Sequence, residues 1–95
     1  MKRCYFALFN LPKPQREHAR IVEVIRAASG GDFKQFIAPG GIAFVYESEA
    51  LPWNLSFSQI LHTGDSKFIV EIGEKVQMEG FGAAAGWLNA KRPRQ

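Results

Sequence analysis

Residues 3–11 read Arg-Cys-Tyr-Phe-Ala-Leu-Phe-Asn-Leu, and both alternating sets of that segment are apolar. Read as a strand, it puts Cys4, Phe6 and Leu8 on one face and Tyr5, Ala7 and Phe9 on the other. A strand apolar on both sides is buried on both sides. The simplest small sheet, with one face on a core and one in water, is therefore excluded. Each face of whatever sheet this strand joins needs a covering layer. Asn10, Pro12 and Pro14 end the segment.

The rest of the chain supplies partners for that strand. Pro14 suits the first turn of a helix, where its missing N–H costs nothing. From Gln15 to Ser29 the positions Ile21, Val24, Ile25 and Ala28 recur at helical spacing, with His18 one turn earlier. Arg16, Arg20, Glu23 and Ala27 mark the opposite side, Arg20 and Glu23 are spaced to pair weakly, and Gly30-Gly31 supplies a stop. Two β-rich runs, 32–38 and 41–48, follow around Pro39-Gly40-Gly41, a tight-turn sequence. In the first run Phe33, Gln35 and Ile37 oppose Lys34, Phe36 and Ala38; in the second Ile42, Phe44 and Tyr46 oppose Ala43, Val45 and Glu47. After an irregular stretch around Pro52, Asn54 or Ser56 is placed to cap a short helix through Leu61 or His62. Residues 67–74 form the last strand, with Phe68, Val70 and Ile72 on one face and Ile69 between Lys67 and Glu71 on the other. Residues 81–90 form a closing helix weakened by internal glycines and anchored by Trp87 and Leu88.

Strand, helix, hairpin, helix, strand is the β-α-β-β-α-β order of the ferredoxin-like pattern, an α+β antiparallel sheet, here with an added C-terminal helix. Ninety-five residues leave room for one domain, taken as residues 1–90, with 91–95 as a basic flexible tail. In that pattern both main helices share one face. The second face, apolar here, must be covered by the C-terminal segment with Phe81, Trp87 and Leu88, by an identical sheet from a second subunit, or by both. Large bare apolar faces are a liability in a monomer and two-fold dimers are the commonest oligomers, so the expectation is a homodimer with those three residues at its seam.

Charge and cysteine content bound the function. The net charge is +3, yet five of the twelve basic residues (Lys2, Arg3, Lys91, Arg92, Arg94) lie in the terminal tails. Between residues 4 and 90 seven basic residues face nine acidic ones, a balance of −2, so the body is not a basic surface. Binding to phosphate would rest on the tails and on the Arg16/Arg20 side of the first helix. One cysteine, Cys4, allows neither an internal disulfide nor a multi-cysteine metal site. No signal-like segment and no run of about 18 apolar residues is present, which points to a cytoplasmic protein with no membrane partner. The two histidines, His18 and His62, lie on different expected helices without a Cys or carboxylate at metal-like spacing, and no serine or threonine sits in a nucleophile frame. No cofactor is expected.

The strand closing on Asn10-Leu11-Pro12-Lys13-Pro14, the amphipathic first helix, the last strand Lys67-Phe68-Ile69-Val70-Glu71-Ile72 and the ending from Gly80 to Leu88 with Gly-Trp-Leu at 86–88 carry a resemblance. Together they resemble the small bacterial SinR-like proteins, fold relatives of the compact CRISPR-associated endonuclease-like subunit. The resemblance implies a ferredoxin-like dimer and, for the CRISPR-associated members, binding to duplex nucleic acid, in some cases with metal-dependent cleavage through an aspartate at the end of the first strand. The matching position is Asn10, a neutral amide and a weak ligand for Mg²⁺, which speaks against hydrolysis.

Three functions remain in competition. The leading one is a homodimeric, non-enzymatic accessory protein that binds, with nucleic acid as a candidate partner through Arg16, Arg20 and Asn10. Against it stand a metal-dependent nuclease and a small-ligand or protein-interaction module.

Overall fold

The two-sided apolar strand of the sequence is β1 (Arg3–Asn10), and it runs down the middle of a four-stranded sheet. The structure is a computed structural model that describes residues 2–11, 17–38, 41–57, 60–61, 64–73 and 76–91. After β1 come α1 (Glu17–Ser29), β2 (Phe33–Ala38), β3 (Gly41–Ser48), a single 3-10 turn (Pro52–Asn54), β4 (Ser66–Glu71) and α2 (Ala83–Lys91). The strands lie in the order β2-β3-β1-β4, with every neighbouring pair antiparallel. This is an α+β architecture with β1 hydrogen-bonded on both edges, which is where a strand without a polar face belongs.

Register assigns the two faces. Tyr5 pairs with Tyr46, Ala7 with Phe44 and Phe9 with Ile42. On this first face those six residues form the core with Ile21 and Ile25 of α1, and with Phe57 and Ile60 from the segment before β4. Aromatic rings interlock there: Tyr5 stacks on Tyr46 at 5.3 Å, and Phe9 meets both Phe44 (5.9 Å) and Phe57 (5.0 Å). The α1 periodicity supplies the apolar stripe, and the Gly pair ends the helix. Gly30 takes the left-handed conformation (φ 64°), and the Gly31 N–H reaches back to the Arg26 carbonyl at 3.0 Å. Ser48 ties the end of β3 to this helix end by donating to the Ala28 carbonyl at 2.6 Å.

Several expectations are corrected. Glu23 pairs with Arg26 at 3.5 Å rather than with Arg20. The short helix expected from Asn54 or Ser56 to Leu61 or His62 is instead the 3-10 turn Pro52–Asn54, followed by one turn in which Ile60 and Leu61 donate to the Phe57 carbonyl. Pro52 begins that turn, and Leu55 beyond it returns to extended backbone at φ −84°, ψ 134°, so no α-helix propagates from Asn54. Residues 58, 59, 62 and 63 of the expected helix lie outside the described residues. Lys91, expected to open a flexible tail, is the last residue of α2 and is ion-paired; residues 92–95 lie outside the described residues. β4 stops at Glu71, three residues earlier than expected.

Among the described residues, no helix is long and apolar enough to cross a membrane.

Candidate functional site

The second sheet face is where the chain departs from a closed globule, and its covering can be followed residue by residue. Even-numbered residues of β1, β2 and β4 and odd-numbered residues of β3 point to it, as the registers require. α2 packs against β2 and β3 on this side. Its Ala84 and Leu88 are buried, and Ala43 and Val45 beneath it are wholly buried. Phe81, just before α2, meets the ring of Phe36 at 5.1 Å.

A polar clamp fixes the end of α2. Lys91 bonds both Asp32, at the start of β2, and Glu47 of β3, the latter at 3.1 Å. The indole N–H of Trp87 donates to the other Asp32 oxygen at 2.9 Å. Asp32 thus accepts from two donors of one helix. The Lys91 hydrogen bond, aided by that of Trp87, holds its carboxyl below its ordinary value against the opposing effect of burial. The same hydrogen bonds, to Asp32 first and Glu47 second, hold the Lys91 ammonium above its ordinary value.

α2 stops there. Over β1 and β4 the same face continues with Phe6, Leu8 and Cys4 half-buried, Phe68 57% exposed and Val70 43% exposed. Phe6 marks the boundary, its ring 6.0 Å from that of Phe36 on the far side of β3. An apolar half-face bordered by a helix is the most distinctive surface of the described chain. Single exposed apolar residues are ordinary, but a contiguous set on one sheet face marks an interaction site.

The residues expected at the site are dispersed. Asn10 is exposed at the end of β1, opposite Gly41 on one side and Ser66 on the other. Arg20 is exposed on α1, on the far side of the molecule from the bare half-face; Arg16 lies outside the described residues. Phe81 is 46% exposed, while Trp87 and Leu88 turn inward to their own chain, Leu88 completely. Two further cations are engaged within the chain: Arg3 with Glu71 at 3.1 Å and Arg26 with Glu23. Trp53 is 74% exposed on the 3-10 turn. Among the described residues, no group of three or more His, Cys, Asp or Glu is placed to hold a metal ion. Two buried polar atoms, the His18 Nε2 and the Tyr46 hydroxyl, have no hydrogen-bond partner among the described residues. Burial, with Tyr5 alongside, pushes the Tyr46 hydroxyl pKa upward.

No family model matches the chain, and neither a curated protein nor a solved structure matches it. The likeness to the SinR-like proteins rests on the sequence features that carry it and on nothing further.

Sequence reasoning placed Phe68 and Val70 on one face of the last strand, but it assigned the seam to Phe81, Trp87 and Leu88. The signal for the bare half was present in the alternation of β1 and β4. What sequence does not show is how far a single nine-residue helix reaches across the sheet.

Proposed function

We propose that this chain is a non-catalytic binding module of ferredoxin-like topology that acts in the cytoplasm as a homodimer, with the β1–β4 half of its second sheet face as the region of association. The observation that carries the reading is that half-face, on which Phe68 and Val70 stand exposed beside Phe6 and Leu8 while the β2–β3 half lies sealed under α2. The strand order β2-β3-β1-β4 agrees with the ferredoxin-like pattern, although between β3 and β4 the described residues form single turns where that pattern places a helix. Burying apolar side chains of this size contributes about 1.5–3 kcal/mol each, enough for a few of them to hold two copies together.

A nucleic-acid role draws less support. The residues that would contact phosphate do not converge: Arg20 and Asn10 sit on separate elements, and Arg3, Arg26 and Lys91 are paired with carboxylates of the chain itself. Salt-dependent binding to duplex DNA, lost on Arg20→Glu, would restore it.

Sedimentation equilibrium over a wide concentration range tests the main reading. A monomer–dimer equilibrium is expected, shifted toward monomer by Phe68→Glu with the far-UV spectrum unchanged. A protein that stays monomeric at the highest concentration sampled overturns it.

A further inference from the structure

We infer that the second copy joins edge to edge: β4 pairs with β4 of the other copy, antiparallel and centred on Ile69, making one continuous eight-stranded sheet. This rests on the homodimer proposed above and says how the dimer is built.

The first argument is backbone phase. β4 is an outer strand of the sheet, and no described residue pairs with its far edge. The Ile72 N–H donates to the Cys4 carbonyl at 2.8 Å, in the same register that pairs Tyr5 with Glu71. Hydrogen-bonded and non-hydrogen-bonded pairs alternate along an antiparallel ladder. Phe68 and Val70 therefore direct their N–H and C=O groups toward β1, while Lys67, Ile69 and Glu71 direct theirs outward. A two-fold pairing can be centred on an outward-directed residue or on the inward-directed residue between two of them, and only centring on Ile69 uses all three outward residues of β4 symmetrically. Ile69 is the central one of the three, and with Ile69 on the axis, Lys67 of each copy meets Glu71 of the other with both backbone groups available. Six inter-copy hydrogen bonds follow from that placement.

The second argument is charge. Among the centrings the backbone phase allows, the one on Ile69 sets the Lys67 ammonium across from a Glu71 carboxylate twice, once on each side of the axis. Opposite charges directly across a ladder stabilise it and like charges destabilise it. Both side chains are exposed and reachable. Arg3 already donates to Glu71 at 3.1 Å, and the Lys67 ammonium stands 5.8 Å from the Phe57 ring centroid. Neither contact is strong at an exposed site, and a carboxylate has room for a second donor.

The third argument is the apolar side. Phe68 of one copy falls opposite Val70 of the other, on the bare face. Edge pairing packs Phe68 and Val70 of the two copies against each other across the seam, and these are the exposed side chains whose burial the homodimer reading calls for. The other outer strand, β2, has none of this self-complementarity. It carries Lys34 and no carboxylate, so pairing with itself would leave its ammonium groups without partners, which is a usual protection of an edge.

The test is a charge complementation. Lys67→Glu leaves a chain with carboxylates at both positions, and Glu71→Lys leaves one with ammonium groups at both. Each variant alone is expected to dimerise roughly tenfold or more weakly than the parent, because both favourable Lys67–Glu71 contacts become repulsive. An equimolar mixture is expected to form a one-to-one heterodimer of near-parental affinity, read by native mass spectrometry and sedimentation. Ile69→Pro removes an N–H that no bond among the described residues uses and should abolish the dimer while the far-UV spectrum is retained. If the parent dimerises and the variants do so equally well alone, or if the mixture gains nothing, the β4 pairing is wrong and the homodimer reading stands. If the parent never dimerises, both fall.

Discussion

The two halves of the second sheet face are built from the same alternation and meet different fates. Over β2 and β3, Ala43 and Val45 disappear under Ala84 and Leu88; over β1 and β4, Phe68 and Val70 remain in solvent. Hydropathy does not account for the difference, since the covered half carries Lys34 and Glu47 and the bare half is the more apolar. Reach does. A helix with its side chains is about 10 Å wide and strands lie about 4.8 Å apart, so one helix covers about two strands. The first face has α1 together with the segment carrying Phe57 and Ile60, whereas among the described residues the second has α2 and, just before it, Phe81 against Phe36. A four-stranded sheet with one helix on a face leaves half of that face uncovered whatever its composition.

That contrast is open to attack by mutation. The largest effect is expected on the sealed half: Leu88→Ala leaves a cavity under α2 and should lower stability by about 2–4 kcal/mol in denaturant titration. A change below about 0.5 kcal/mol would mean that α2 does not seal the face. Next comes the clamp. Asp32→Ala removes the partner of both Lys91 and Trp87 and should cost about 1 kcal/mol, an exposed ion pair being worth less than its hydrogen bonds suggest.

The same clamp fixes a pH dependence. The Asp32 carboxyl is held below its ordinary value near 3.8, so its contribution is present above that value and is lost as pH falls through the depressed one. In a Trp53→Phe background Trp87 is the sole indole, and its emission should shift on acidification below about pH 4 and stay flat through neutrality. At the other end, the raised Lys91 makes the clamp persist past pH 10.5 and fail only above it.

Smaller still is Tyr46→Phe. It deletes a buried hydroxyl that has no partner among the described residues and should be neutral or stabilise by up to about 1 kcal/mol. The least effect on monomer stability belongs to the bare half, where Phe68→Ser should stay within about 0.5 kcal/mol while weakening self-association measured in the same samples.

Much of this architecture was legible in the sequence. β1 announced its central place through two apolar faces, and Gly30-Gly31 announced the end of α1. Period two gave each strand its faces correctly, down to Ile69 turning toward the core between Lys67 and Glu71. The segment before β4 was misread, because capping residues at Asn54 and Ser56 suggested a helix that Pro52 and the extended Leu55 interrupt. Of the two covers the sequence offers for the second face, the chain's own C-terminal segment is in place: Leu88 is buried and Trp87 donates to Asp32, 55 residues away, a pairing that only the docked fold creates. The likeness on which Asn10 was singled out received no support, and the site shifted from isolated polar residues to an apolar surface.

Gly41 sits between two neighbours at once, opposite Ala38 on β2 and Asn10 on β1. A methyl group built there would lie 1.7 Å from the carbonyl oxygen of Phe9, a backbone atom that cannot swing aside. Full randomisation of that codon, followed by selection for folded protein, should return a single amino acid, where the glycines of the helix stop or of the turn before α2 would admit at least some company.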